Sequence, residues 1–161
     1  DHGLSTQVAS YALALIGLFN VFGTYMAGAL GQRMAKRHIL AFIYFTRAVV
    51  ISVFLLVPLS PTSVYIFSAV MGALWLSTVP VTNALVAQIF GVQHLSMLGG
   101  FVFFSHQMGS FMGVWLGGYL YDRTGSYDIV WYLAIALGVL AGLINLPIKE
   151  TAIQRPALQP A

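Results

Sequence analysis

The sequence predicts an all-α integral membrane protein, a helical bundle with five transmembrane helices. Three observations carry this. Charged residues make up only 7% of the 161 residues, seven Lys/Arg and four Asp/Glu, where a soluble domain has roughly 25%. No formal charge occurs anywhere from Ala48 to Tyr121. The remaining sequence, 59% hydrophobic, falls into five continuous apolar runs of about the 20 residues needed to cross a bilayer. The runs are rich in Gly, Ala and Leu and do not alternate apolar with polar, as strands of a membrane barrel would.

The same composition excludes other classes. A soluble globule of this size could not cover itself with so little charge. A water-soluble enzyme, a nucleic-acid-binding domain and a disordered chain are therefore ruled out. The pI of 9.4 rests on a net charge of only +3 and does not indicate a polyanionic partner. With no cysteine, disulfides, thiolate catalysis and Cys-based metal sites are excluded. No His/Asp/Glu metal cluster, Ser/His/Asp arrangement or phosphate-binding glycine loop is apparent, and no cofactor is expected.

The spans read, in order, 8–30, 39–59, 62–90, 95–121 and 129–148. The first ends at a basic loop, Gly31 to His38, which holds Arg33, Lys36 and Arg37. The second and third are separated by the proline-bracketed turn Pro58-Leu59-Ser60-Pro61-Thr62. Within the third, Pro80 is expected to kink the helix and free the carbonyl of Leu76. The third and fourth meet near Gly91–His94, and the fourth and fifth are joined by Asp122–Asp128. Residues 149–161, with Pro156 and Pro160, read as a disordered tail. The chain opens on Asp1 without the basic n-region of a signal peptide, and its first apolar run is too long for a signal core. A piece of a longer protein is expected.

Charge sets the orientation. Five spans put the basic loop and the C-terminal tail on one side, which then carries Arg33, Lys36, Arg37, Lys149 and Arg155 against Arg123 alone on the other. The positive-inside rule makes the richer side cytoplasmic. The expected location is the cell (inner) membrane, with the C-terminus cytoplasmic. Tyr11, Tyr65, Tyr119, Tyr121, Tyr127, Trp131 and Tyr132 then form an outer aromatic belt.

Helices in lipid associate through small residues and a few hydrogen bonds. At helical spacing, the first span carries Gly17, Asn20, Thr24, Ala27, Gly28 and Gly31 on one face. The third carries Ser68, Gly72, Trp75, Thr82 and Asn83, with Ser77 and Thr78 beside them. The fourth carries His106, Gly109, Ser110, Gly113 and Gly117, with Gln107 adjacent. The second and fifth are nearly uniformly apolar apart from Arg47 and Asn145. Three helices with polar faces and two without suggest three lining a path and two supporting them.

The residue types give each candidate two readings. His106 near mid-membrane is either an interhelical hydrogen-bonding group or a site for a proton or an anionic solute. Asn20 is interhelical glue or a pathway residue. Thr24, Thr78, Gln107 and Ser110 are the other pathway candidates, and Trp75 lines the cavity or packs in the core. Gly109, Gly113 and Gly117 read as a close helix-packing stripe. Arg47, some nine residues into its span and roughly 12–14 Å from its basic-loop end, is expected to snorkel or pair with backbone carbonyls.

Three stretches carry a family resemblance. GTYMAGALGQRMAKR, Gly23 to Arg37, resembles the end of helix 8 and the basic cytoplasmic loop of a major facilitator superfamily transporter. Gly28, Arg33, Lys36 and Arg37 match that loop motif, while Gln32 and Ala35 replace its usual acid and glycine. GVWLGGYLYDRTGSY, Gly113 to Tyr127, looks like the end of helix 11 and the turn before helix 12, close to the monocarboxylate and oxalate/formate carrier branch. DHGLSTQVASYALALIGLFNVFG resembles that branch's approach to helix 8. The resemblance implies a partial major facilitator fold, helices 8 to 12 of the C-terminal half. Helices 8, 10 and 11 would line the cavity and 9 and 12 support them. It implies a secondary transporter moving a small solute by alternating access. An organic anion is one candidate, with a coupling proton, and the partners are membrane lipid and the missing N-terminal half. A second reading is an autonomous small membrane protein with an interaction or assembly role. A pore-forming oligomer is a third, and a membrane enzyme has the least support.

Overall fold

A computed structural model describes residues 5–153, and among them the only regular structure is helical. The helices are α1 (Thr6–Leu30), α2 (Lys36–Leu56), α3 (Pro61–Trp75), α4 (Thr78–Phe90), α5 (Leu95–Thr124) and α6 (Asp128–Asn145), with a 3-10 turn at Val92–His94. The continuous stretch formed by α3 and α4, together with α1, α2 and α6, is long and apolar enough to cross a membrane. At 30 residues α5 is long enough, but its Ser, His, Gln and Gly residues make it less apolar.

Local sequence sets the boundaries. Ser5 caps α1 by accepting the Val8 N–H. Ser60 and Ser63 form a reciprocal capping box at the start of α3, where Pro61 occupies the first turn. Gly125, at φ 68°, closes α5 in the left-handed conformation that an L side chain resists. Pro80 cannot donate a backbone hydrogen bond, and its ring crowds the carbonyl four residues earlier, that of Leu76. The ladder gives way there. Leu76 and Ser77 separate α3 from α4, and the Leu76 carbonyl takes the Val79 N–H at 3.0 Å instead.

Two helix pairs form the frame. In one, α1 crosses α3 at backbone contact. A Cβ at Gly72 would lie 2.6 Å from the Ile16 carbonyl oxygen, and one at Gly23 would overlap the backbone of Ala73. In the other, α2 packs on α6, where a Cβ at Gly142 would come within 2.7 Å of the Phe45 ring and one at Gly138 within 3.4 Å of Ala48. Close approach of this kind is how helices gain packing energy in lipid. The core joins the pairs toward the basic-loop end, where Ala27, Ile39, Leu40, Ile43, Val81 and Leu85 bury one another. Toward the opposite end, Phe54 stacks on Phe67 at 4.1 Å and Trp131 packs against both rings.

The segment after α6 lies across the basic-loop end. The Glu150 carboxylate accepts the Arg37 N–H at 2.7 Å, at the N-terminus of α2, where a negative charge is favoured. Gln88 donates to the Glu150 carbonyl at 2.8 Å, and the Ile153 N–H to the Ile89 carbonyl at 2.9 Å. Residues 149–153, which the sequence assigns to a disordered tail, are thus held on α2 and α4. The rest of that tail, 154–161 with Arg155, Pro156 and Pro160, lies outside the described residues, as do residues 1–4.

The glycine contacts separate two kinds of position. Gly72→Leu should destabilise the chain by about 1–3 kcal/mol or more, because the backbone of α1 stands in the way. Gly113→Leu should leave stability within about 0.5 kcal/mol, since a Cβ there meets nothing within 4 Å in this chain. Thermal unfolding in detergent, followed by size-exclusion chromatography, checks both.

Candidate functional site: a side-chain-capped helix break beside a polar cleft

The break between α3 and α4 is the polar centre of the bundle. In hydrocarbon every freed backbone group needs a partner from the protein. Three side chains from three helices supply them. Arg47 of α2 donates through Nη2 to the carbonyls of Leu74 and Trp75, the latter at 2.6 Å. Asn20 of α1 accepts the Leu76 N–H through Oδ1 at 3.1 Å. Ser77 Oγ donates to the Ala73 carbonyl. Thr24 steadies Asn20 by donating to the same Oδ1 at 3.4 Å.

Arg47 is the formal charge that the sequence places deepest in a span, and its partners are carbonyls, as expected. Its guanidinium sits at the C-terminal end of α3, where the helix dipole is negative. It also lies 5.4 Å from the Tyr44 ring centroid. Asn20 bridges α1 to the break through its Oδ1. What the sequence did not reveal is that Asn20 and Arg47 meet at one turn of backbone.

A cleft of about 650 Å³ opens next to this break, between α4 and α5. Tyr44 and Leu76 form its wall toward the break, and Thr78, Thr82, Asn83, Ser96, Ser105 and His106 give it polar groups. Apolar surface comes from Val79, Leu95, Val102 and Phe103. Hydroxyls, an amide and an imidazole can exchange hydrogen bonds with a small polar solute while the apolar wall holds its body.

The candidates read from the sequence are therefore divided. Thr78 and His106 line the cleft. Asn20 and Thr24 stand behind it at the break. Trp75 is 57% exposed and outside the cleft, and contributes its carbonyl rather than its ring. Gln107 and Ser110 are exposed on α5, beyond the cleft lining. Gly109, Gly113 and Gly117 continue past His106, and a Cβ at any of them meets nothing within 4 Å. Of the loop-motif residues, Gly28 lies in α1, where an added Cβ would be 3.9 Å from Pro80, Arg37 reaches the Ile148 carbonyl at 3.2 Å, Arg33 is exposed and Lys36 begins α2. The cleft residues Tyr44, Ser96 and Ser105 had no distinguishing sequence signal; Thr82 and Asn83 stood on the polar stripe of the third span. Among the described residues, no group of three or more His, Asp or Glu could hold a metal ion.

Interrupted membrane helices beside polar clefts occur in many transporter folds. The sequence profile of the Major Facilitator Superfamily matches residues 1–161, and the chain belongs to that superfamily. It is similar to the MFS-type transporter YcxA of Bacillus subtilis, 25% identical over 139 residues, which are 83% of this chain and 34% of the relative. It is also similar to monocarboxylate transporter 12-B of Danio rerio, 26% identical over 137 residues, 83% of this chain and 29% of the relative. The chain spans about a third of the length of these relatives. No solved structure matches it significantly. Family and helices together make it an integral membrane protein of a transport family.

The capping of the break predicts a specific cost. Asn20→Ala leaves the Leu76 N–H without its acceptor and should destabilise the bundle by about 1–2 kcal/mol. Asn20→Asp keeps an acceptor oxygen at the same reach. Unfolding of both variants in mixed micelles, compared with the parent chain, measures the loss.

Proposed function

We propose that these helices are part of a secondary transporter that moves a small solute by alternating access, with the α4–α5 cleft as their share of the solute path. The observation that carries this reading is the cleft itself. It gathers Thr78, Thr82 and Asn83 from α4 and Ser105 and His106 from α5 beside an interrupted helix, and its α5 face continues past Gly109 and Gly113, where an added Cβ would meet nothing within 4 Å.

The helix pairing says what belongs on that face. In transporters built of three-helix inverted repeats, each contact has a symmetry mate. Take α1 and α2 as the second and third helices of one repeat, and the broken α3–α4, α5 and α6 as the other. The α2–α6 contact is then its own mate. The mate of α1 on α3 is α5 on the helix preceding α1. That helix would cover the glycine stripe and complete the cleft, and the N-terminal half would close it from across the bundle.

On this reading the solute is a small organic anion. The name of the zebrafish relative supports it, as does the position of Arg47 behind the Tyr44 wall. His106 is the candidate for a coupling proton, and the basic loop and C-terminus face the cytoplasm of the cell (inner) membrane. His106→Ala in the complete transporter should lower uptake at least several-fold or change its pH dependence between about pH 5 and 8, the range of imidazole titration. Uptake rates measured over that range with wild-type kinetics at every pH would remove His106 from the path.

A further inference from the structure

The partners of Arg47 coincide with the hydrogen bonds an uninterrupted helix would make. In a continuous α-helix the Leu74 carbonyl receives the Thr78 N–H, and the Trp75 carbonyl the Val79 N–H. Arg47 occupies both carbonyls. The Ala73 carbonyl would receive the Ser77 N–H, and it takes the Ser77 hydroxyl instead. The Leu76 N–H would go to the Gly72 carbonyl and goes to Asn20. Of the broken ladder, Pro80 accounts for one bond, the one its missing N–H would have made to Leu76. The bonds above it could form, and side chains stand in their place.

We propose that Arg47 is a positioning residue that latches the α3–α4 helix in its interrupted form. Its guanidinium competes with the Thr78 and Val79 N–H groups for the same two carbonyls. When it occupies them, α4 is free to depart from the axis of α3. When it leaves, the ladder recloses down to the Pro80 gap and the two segments align. The charge makes the latch strong. Every Asp and Glu lies outside the apolar stretches, so carbonyls at the negative end of α3 are what the cation has. Its Nε is buried without a partner, so the guanidinium is held at its Nη2 corner and not locked on all sides. Two alternative sets of donors for the same two carbonyls are the elements of a two-state switch. Thr78, Val79, Thr82 and Asn83 on α4 line the cleft, so the state of the latch sets the shape of the cleft. That last consequence rests on the transport reading; the latch does not.

The chain has no cysteine, so pairs of spin labels can be introduced cleanly. Labels at Ile66 on α3 and Phe90 on α4 report the alignment of the two segments. Labels at Leu13 on α1 and Ile66 report the α1–α3 frame away from the break. Double electron–electron resonance is recorded on the full chain in lipid nanodiscs. In Arg47→Met the Ile66–Phe90 distribution should shift toward that of a helix interrupted only at Pro80, for which the roughly 36 Å of 24 steps of about 1.5 Å is the upper limit, with the Leu13–Ile66 distance unchanged. Arg47→Lys, which keeps the charge and a donor, should return the parent distribution in large part. An unchanged Ile66–Phe90 distribution in Arg47→Met overturns the latch. So does the loss of both distances in Arg47→Met and Arg47→Lys alike, which would make Arg47 a general folding residue. No solute enters this measurement, so its outcome is separate from the fate of the transport reading.

Discussion

The demand that every backbone polar group inside a bilayer find a partner organises this bundle. One proline starts the chain of consequences. Pro80 removes one donor in the middle of a membrane span, the helix is interrupted just before it at Leu76 and Ser77, and backbone groups left open there would be costly in hydrocarbon without side-chain partners. Asn20 and Arg47 are the answer from neighbouring helices. They are polar residues that an apolar span carries at a cost, and the break is where that cost is recovered. Their placement also forces packing. Asn20 reaches Leu76 because Gly23, one turn further along the same face of α1, lets the backbones of α1 and α3 touch.

The two well-packed pairs, α1 with α3 and α2 with α6, explain why α5 differs from the rest. Its few contacts come from α4, from the turn before it and from α6, and an added Cβ on its glycine face would meet nothing within 4 Å. A helix with His, Ser, Gln and several glycines on its surface gains little from lipid. Such a face is suited to a partner helix or to water. The cleft forms where α5 is nearest α4, at the end of the molecule with the best core.

Much of this was legible in the sequence, because membrane helices advertise themselves by length and composition. The helical class and an interruption near Pro80 follow from residue chemistry along one strand of text, and pairing with backbone carbonyls was one of the two readings open to Arg47. Other features depend on which helix neighbours which. Gly109, Gly113 and Gly117 have the spacing of a packing stripe, yet the close contacts in this chain are at Gly23, Gly72 and Gly142. Spacing shows that a face is small and not what it faces. Tyr44 belongs to a span that reads as outer support, and it reaches the cleft because α2 crosses α4 at the break. Glu150 lay in a stretch too polar to look ordered. Its carboxylate is fixed by a helix N-terminus more than a hundred residues away in sequence.

The central proposal is that the α4–α5 cleft is a water-accessible path for solute and not a lipid-facing crevice. Single cysteines at Asn83, Ser105 and Phe101, introduced into membranes containing the complete transporter, test it with a membrane-impermeant thiol reagent. Asn83 and Ser105 line the cleft, whereas Phe101 is exposed on α5 away from it. The account predicts labelling at Asn83 and Ser105 that added solute slows, and none at Phe101. Absence of labelling at both cleft positions, or equal labelling at all three, would contradict it.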